Sequence, residues 1–141
     1  MSNIAAPAMS SSVPTKVFRA MRKDQGGAPL CGSDSNMLGA RPGVDIRADA
    51  EGRVLGGQGG LSVTPDDPKL LPPHVRPPRF GGKGKLPLFE LPTSSLTAAL
   101  SYRADPERPT RHGFLEPGSE MLLAEYQAAL AATQSAWKEV A

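Results

Sequence analysis

The sequence predicts an α+β domain, with short strands and loops first and one helix last. Three observations predict it. Gly and Pro number 15 each among 141 residues, and so many prolines cannot sit inside long helices, which excludes a helical bundle. Between the breakers lie short stretches of strand length that alternate apolar and polar residues or carry β-branched side chains. Near the C-terminus, Leu122, Tyr126, Leu130, Thr133, Trp137 and Val140 recur at three- and four-residue steps, one apolar face of a helix of about five turns.

The elements follow in order. Residues 1–15 are rich in Ser, Ala and Pro and read as a flexible segment ahead of a single domain over residues 16–141. Residues 16–22 (KVFRAMR) alternate apolar and basic side chains, and Val17 with Phe18 suits a strand. Residues 36–40 fit one helical turn before Pro42; residues 44–47 alternate as a short strand, with Val54 and Leu55 continuing a hairpin after a turn at 49–52. The loop GGQGG at 56–60 leads into a strand at 61–64. Six prolines between 65 and 78 impose an extended loop. LPLFEL at 86–91 reads as a strand near a sheet edge because of Pro87, and 100–103 and 111–115 read as two more strands. Ser119, after Pro117 and Gly118, is placed to cap the final helix.

Composition excludes several classes. Sixteen basic and 14 acidic residues give a net charge of +2, too small to imply nucleic acid by itself. Cys31 is the single cysteine, which rules out an internal disulfide and any zinc site built on two or more cysteines, and with two histidines no metal site is expected. No apolar run approaches the ~18 residues of a membrane span. The N-terminus lacks the basic and apolar regions of a secretory signal. The expectation is a cytoplasmic protein with no membrane contact.

Four features bear on chemistry. GGKGK at 81–85 is not a phosphate loop, since Arg79 and Leu86 stand where that motif needs Gly and Ser or Thr. GGQGG is not a dinucleotide fingerprint, because a strand rather than a helix follows it. Between Asp67 and Glu90 there is no acid, while Lys69, Arg76, Arg79, Lys83 and Lys85 are cationic and His74 is titratable; such a loop attracts a phosphate, a nucleotide or an acidic partner. His112 and Glu116, four residues apart, share one face of a strand with Phe114 between them, a pairing suited to acid–base work or to gripping ribose hydroxyls. Cys31 lacks a neighbouring base and is a poor nucleophile candidate.

The order of several segments resembles a known family. These are Val17-Phe18-Arg19-Ala20; the run NMLGARPGVDI at 36–46; Gly59-Gly60-Leu61-Ser62-Val63; the proline-rich LPPHVRP at 71–77; and RHGFLEP at 111–117. Together they resemble the type VI secretion toxins with an ADP-ribosyltransferase-like fold, founded on the second exported effector described in its system. The resemblance spans residues 16–139 or so. It implies a split β-sheet with NAD in a cleft between two small sheets, and an NAD-dependent ADP-ribosyltransferase or NAD glycohydrolase acting as a toxin in a bacterial cytoplasm. It further implies export by a type VI system, a cognate immunity or antitoxin protein and a macromolecular target. By order, Arg19, Ser62 and Glu116 match the catalytic positions, and Gly60, His74, Arg76 and His112 are expected to join Arg19 and Ser62 around NAD. In those roles the guanidinium holds ribose or phosphate, the serine fixes the nicotinamide ribose, and the carboxylate supports the oxocarbenium-like charge as nicotinamide leaves. The sequence departs from the family pattern at two points: Gly-Gly-Leu-Ser-Val replaces Ser-Thr-Ser, and Glu116 stands in Leu-Glu-Pro rather than Glu-x-Glu. A second reading from a different class is a non-enzymatic binding module that docks an acidic protein or RNA on the basic loop 69–85.

Overall fold

The computed structural model describes residues 13–141; the expectation of a flexible start falls largely on residues 1–12, outside the described residues. Pro14 and Thr15 are tied down, since the Thr93 hydroxyl donates to the Pro14 carbonyl at 2.6 Å and the Thr93 amide to that of Thr15 at 3.0 Å. The protein is α+β. Six strands form one antiparallel sheet: β1 (Lys16–Ala20), β3 (Leu61–Pro65), β4 (Leu88–Pro92), β5 (Leu100–Ala104), β6 (Gly113–Pro117) and β8 (Lys138–Glu139), in the order β5-β6-β3-β1-β4-β8. A two-stranded ribbon, β2 (Arg53–Val54) with β7 (Met121–Leu122), precedes α1 (Leu123–Ala131), the one α-helix among the described residues.

The sheet is divided along its middle. Leu61, Ser62 and Val63 of β3 pair with β6, whereas only its last two residues, Thr64 and Pro65, pair with Phe18 and Val17 of β1. β1 therefore runs its full length beside β4 but leaves β3 after Phe18. Both faces of β1 are covered, which is why its residues alternate between two cores. Val17 faces Leu61, Val63, Leu115 and the helix residues Tyr126 and Leu130; Phe18 and Ala20 face Leu71 and Leu88. At the helix, the Leu61 amide donates to the Tyr126 hydroxyl at 3.0 Å, and that hydroxyl donates to the Leu115 carbonyl. One aromatic side chain thus satisfies two backbone groups of β3 and β6 while filling the core.

Several local expectations are corrected. The final helix is nine residues rather than about five turns. Ser119 does not cap it; the Glu125 carboxylate accepts from the Leu122 amide at 2.8 Å instead. Beyond it the Thr133 hydroxyl donates to the Leu130 carbonyl at 2.7 Å and accepts from the Trp137 indole at 2.9 Å, and the chain then leaves the helical path to pair as β8 with β4. Trp137 is still buried, but from extended backbone. Val140 packs with the second cluster, and Leu122 is 41% exposed. β4 is not at an edge: Pro87 stands just before it, and β8 closes its outer side. Residues 36–40 make no helical turn, because Asn36 takes φ 65° and Leu38 bridges to Cys31. Residues 44–47 form no strand; Ile46 is anchored through a bridge to Gly59, and Val54 pairs with Met121 instead. β6 starts at Gly113 rather than Arg111. Within the proline loop, Pro68–Leu70 and Pro78–Phe80 are 3-10 turns.

Gly59 illustrates why the GGQGG loop needs glycine. Its φ is 106°, and a Cβ there would overlap the Asp45 carbonyl oxygen. Gly59→Ala is expected to cost about 1–3 kcal/mol in urea unfolding, the range for enforced backbone strain. Among the described residues no helix is long and apolar enough to cross a membrane, and no cluster of three or more His, Cys, Asp or Glu is placed to hold a metal.

Candidate functional site

Where β1 and β3 part, a cleft of about 550 Å³ opens on the Phe18 face of the sheet. The proline loop at 70–76 forms one wall and the turn at 108–112 the other. Sheet alternation explains which side chains enter it. Ser62 stands opposite Phe114 and Thr64 opposite Phe18, so Ser62 and Thr64 share the cleft face while Leu61 and Val63 are buried in the core.

Arg19 fills the gap between the parted strands. One guanidinium nitrogen donates to the Ser62 carbonyl at 3.0 Å; Nη2 and Nε donate to the Met37 carbonyl at 3.0 and 3.3 Å. The Ser62 carbonyl lies where β3 has parted from β1, and the planar fork ties it to the loop carbonyl of Met37. Burial pushes the Arg19 pKa down to about 10, against the opposing pull of Asp45, so it remains a cation at neutral pH. Arg76 likewise braces the proline loop, donating to the Lys69 carbonyl at 2.8 Å and the Leu71 carbonyl at 3.3 Å, while its Nε is buried without a partner among the described residues.

The opposite wall is built on the turn between β5 and β6. Asp105 accepts from the Glu107 amide at 2.9 Å and meets His112 Nδ1 at 2.8 Å. Those contacts, the Glu107 amide first, hold its carboxyl below the usual range. A carboxylate with a depressed pKa stabilises the fold above its ordinary value near 3.8 and loses that contribution as pH falls through the lower folded value. An acid titration should therefore show wild type and Asp105→Asn differing in stability at neutral pH and converging once Asp105 is protonated. The His112 ring meets the Phe114 ring edge-on, with centroids 4.9 Å apart at 78°. Arg108 and Arg111 are exposed on this turn and line the cleft; Arg108 comes within 3.7 Å of Asp105.

The predicted site residues thus divide. Arg19, Ser62, Arg76 and His112 meet at the cleft, whereas Gly60, His74 and Glu116 are outside its lining. Gly60 packs against the Leu115 carbonyl, where a Cβ would overlap that oxygen. His74 is exposed on the proline loop. Glu116 does share the face of Phe114, but its carboxylate pairs with Arg103 Nε at 2.7 Å and accepts from the Gly57 amide at 2.8 Å, clasping the glycine loop to β6. Removing one partner of this mostly buried pair orphans the other; Glu116→Ala is expected to cost about 2–3 kcal/mol, between exposed and fully buried ion pairs, checked by chemical denaturation. The basic stretch is partly structural, since Arg79 donates to the Val140 carbonyl at 2.8 Å, while Lys69, Lys83 and Lys85 are exposed. Burial raises the Cys31 thiol pKa, with Asp24 adding to it, which favours the unreactive thiol.

Asp105, Arg108 and Arg111 were not singled out from the sequence. Asp105 and Glu107 offset the neighbouring arginines, so the stretch shows no charge excess; the only available signal was the density of charge on one proline-containing turn. Comparison with known proteins finds no match: no family model, no curated protein and no solved structure is significantly similar to this chain.

Proposed function

We propose that this chain is an NAD-dependent ADP-ribosyltransferase-like toxin, transferring ADP-ribose from NAD to a macromolecule or to water in a bacterial cytoplasm. Under this reading the divided sheet is the split sheet of that fold, and a type VI system and a cognate immunity protein accompany it. The cleft carries the reading: Arg19, Arg76, Arg108, Arg111 and His112 line it, and no acidic residue does among the described residues. A pyrophosphate brings two negative charges and matches the four arginines of that lining. The volume lies within the ~300–1,000 Å³ of small-molecule sites. Arg108 and Arg111 are the freer cations and hold the pyrophosphate; Arg19 and Arg76 shape the walls and add field. Ser62 offers its hydroxyl to ribose. Glu116 fastens the glycine loop beside the cleft.

The exposed Lys69, Lys83 and Lys85 favour the second reading, a module docking an acidic protein or RNA. Expression in a bacterial cytoplasm separates the two. The toxin reading expects growth arrest, release of nicotinamide from NAD by the purified protein with cell extract, and relief of arrest by Arg111→Glu with undiminished soluble protein. Normal growth with abundant folded protein and no nicotinamide would favour the docking module.

A further inference from the structure

We infer that His112, oriented by Asp105, is the general base that accepts the proton of an oxygen nucleophile, water or a hydroxyl, at this cleft. The inference rests on the NAD reading above and names the acceptor class it takes. The His112 side chain is 20% exposed, lines the cleft, and has one ring nitrogen committed, Nδ1 on Asp105 at 2.8 Å. The other carboxylate oxygen accepts from the Glu107 amide. An ionised carboxylate only accepts, so Nδ1 carries the hydrogen and Nε2 presents its lone pair. The hydrogen-bonding groups of the described residues leave Nε2 unused, and the edge-on Phe114 ring fixes the plane of the imidazole. This is a base held in one tautomer by a carboxylate.

The step balances. The nucleophile's oxygen bonds to C1′ of the nicotinamide ribose as its proton passes to Nε2. The C1′–nitrogen bond breaks with its electron pair, and nicotinamide leaves neutral. His112 then loses the proton to solvent, one per turnover. The charged groups facing His112 are Asp105, Arg108 and Arg111 on its own turn, Arg103 over the Phe114 ring at 4.8 Å, Arg19 and Arg76 across the cleft, and Tyr102, whose hydroxyl burial pushes up to about 12 and keeps protonated.

The test combines turnover, binding and spectroscopy on the full chain. In His112→Gln, nicotinamide release from NAD is expected to fall about a hundredfold or more, the melting shift with NAD to persist, and imidazole to restore part of the rate in His112→Ala. Asp105→Asn should keep binding and displace the acidic limb of the pH–rate profile. Only two imidazoles exist, His74 and His112, so nitrogen-15 NMR can assign the tautomer; the wild type should show Nδ1–H at His112, lost in Asp105→Asn. Wild-type turnover by His112→Gln, or an Nε2–H tautomer in the wild type, overturns this inference and leaves the NAD reading standing. No nicotinamide from the wild type overturns both. Should His112→Gln fail to fold, His112→Asn and the wild-type spectrum still decide.

Discussion

Trp137→Ala is expected to destabilise the protein by about 3–5 kcal/mol, the range for removing a buried tryptophan from a packed core. The ring is 4% exposed and shares the main cluster with Tyr126 and Leu130. Its indole also donates to the Thr133 hydroxyl, which itself holds the Leu130 carbonyl. Truncation therefore opens a cavity and loosens the hydrogen bonds that follow the helix. The adjoining β8 closes the outer side of β4, so exchange protection of the Leu88 amide, which donates to the Ala141 carbonyl at 2.8 Å, should fall with it. Urea unfolding is the measurement, and a loss under about 1 kcal/mol would mean that the C-terminal segment is not integral to the core.

Arg19→Ala is expected to cost about 2–4 kcal/mol, because it strips the charged donors from the Ser62 and Met37 carbonyls where the sheet divides. Arg19→Lys should recover part of this, since an ammonium supplies the charge but not the planar fork. In a growth assay Arg19→Ala should accordingly lose folded protein along with any toxicity, whereas Arg111→Glu, on an exposed turn, should not. Calorimetric melting of both variants checks the contrast. Equal stability of Arg19→Ala and wild type would show that the gap between β1 and β3 closes without the guanidinium.

What the sequence displayed was local. β1, β3, β4 and β5 were legible because Val17, Phe18, Leu61, Val63, Leu88 and Leu100 mark short strands between breakers. The burial of Tyr126, Leu130 and Trp137 was legible from their spacing. The helix end was not, because the residues after Trp137 leave the helical path to pair Lys138 and Glu139 with Glu90 and Phe89 of β4, a tertiary contact. Residues 36–47 deceived for a similar reason: Asn36 adopts a left-handed turn, and Ile46 is fixed by Gly59 thirteen residues on rather than by strand neighbours. At the cleft, Arg19, Ser62, Arg76 and His112 were visible as residue types that do chemistry. That Arg19 spans the division of the sheet was not, since it requires knowing where β3 changes partner. Asp105 escaped notice because a lone aspartate in a charged turn has meaning only once His112 lies 2.8 Å away.

Under the proposed function the basic cleft takes a dinucleotide through its pyrophosphate. Thermal melts with millimolar NAD, ADP-ribose and inorganic pyrophosphate, on wild type and on Arg108→Glu/Arg111→Glu, test it most directly. A ligand at a hundredfold excess over its Kd stabilises the native state by about 2.7 kcal/mol, a rise of several degrees for a domain of this size. NAD and ADP-ribose should raise the wild-type melting temperature by that amount and pyrophosphate by less, and the charge-reversed variant should melt normally yet respond to none. Wild type that ignores all three ligands, or a charge-reversed variant that responds as wild type does, would contradict it.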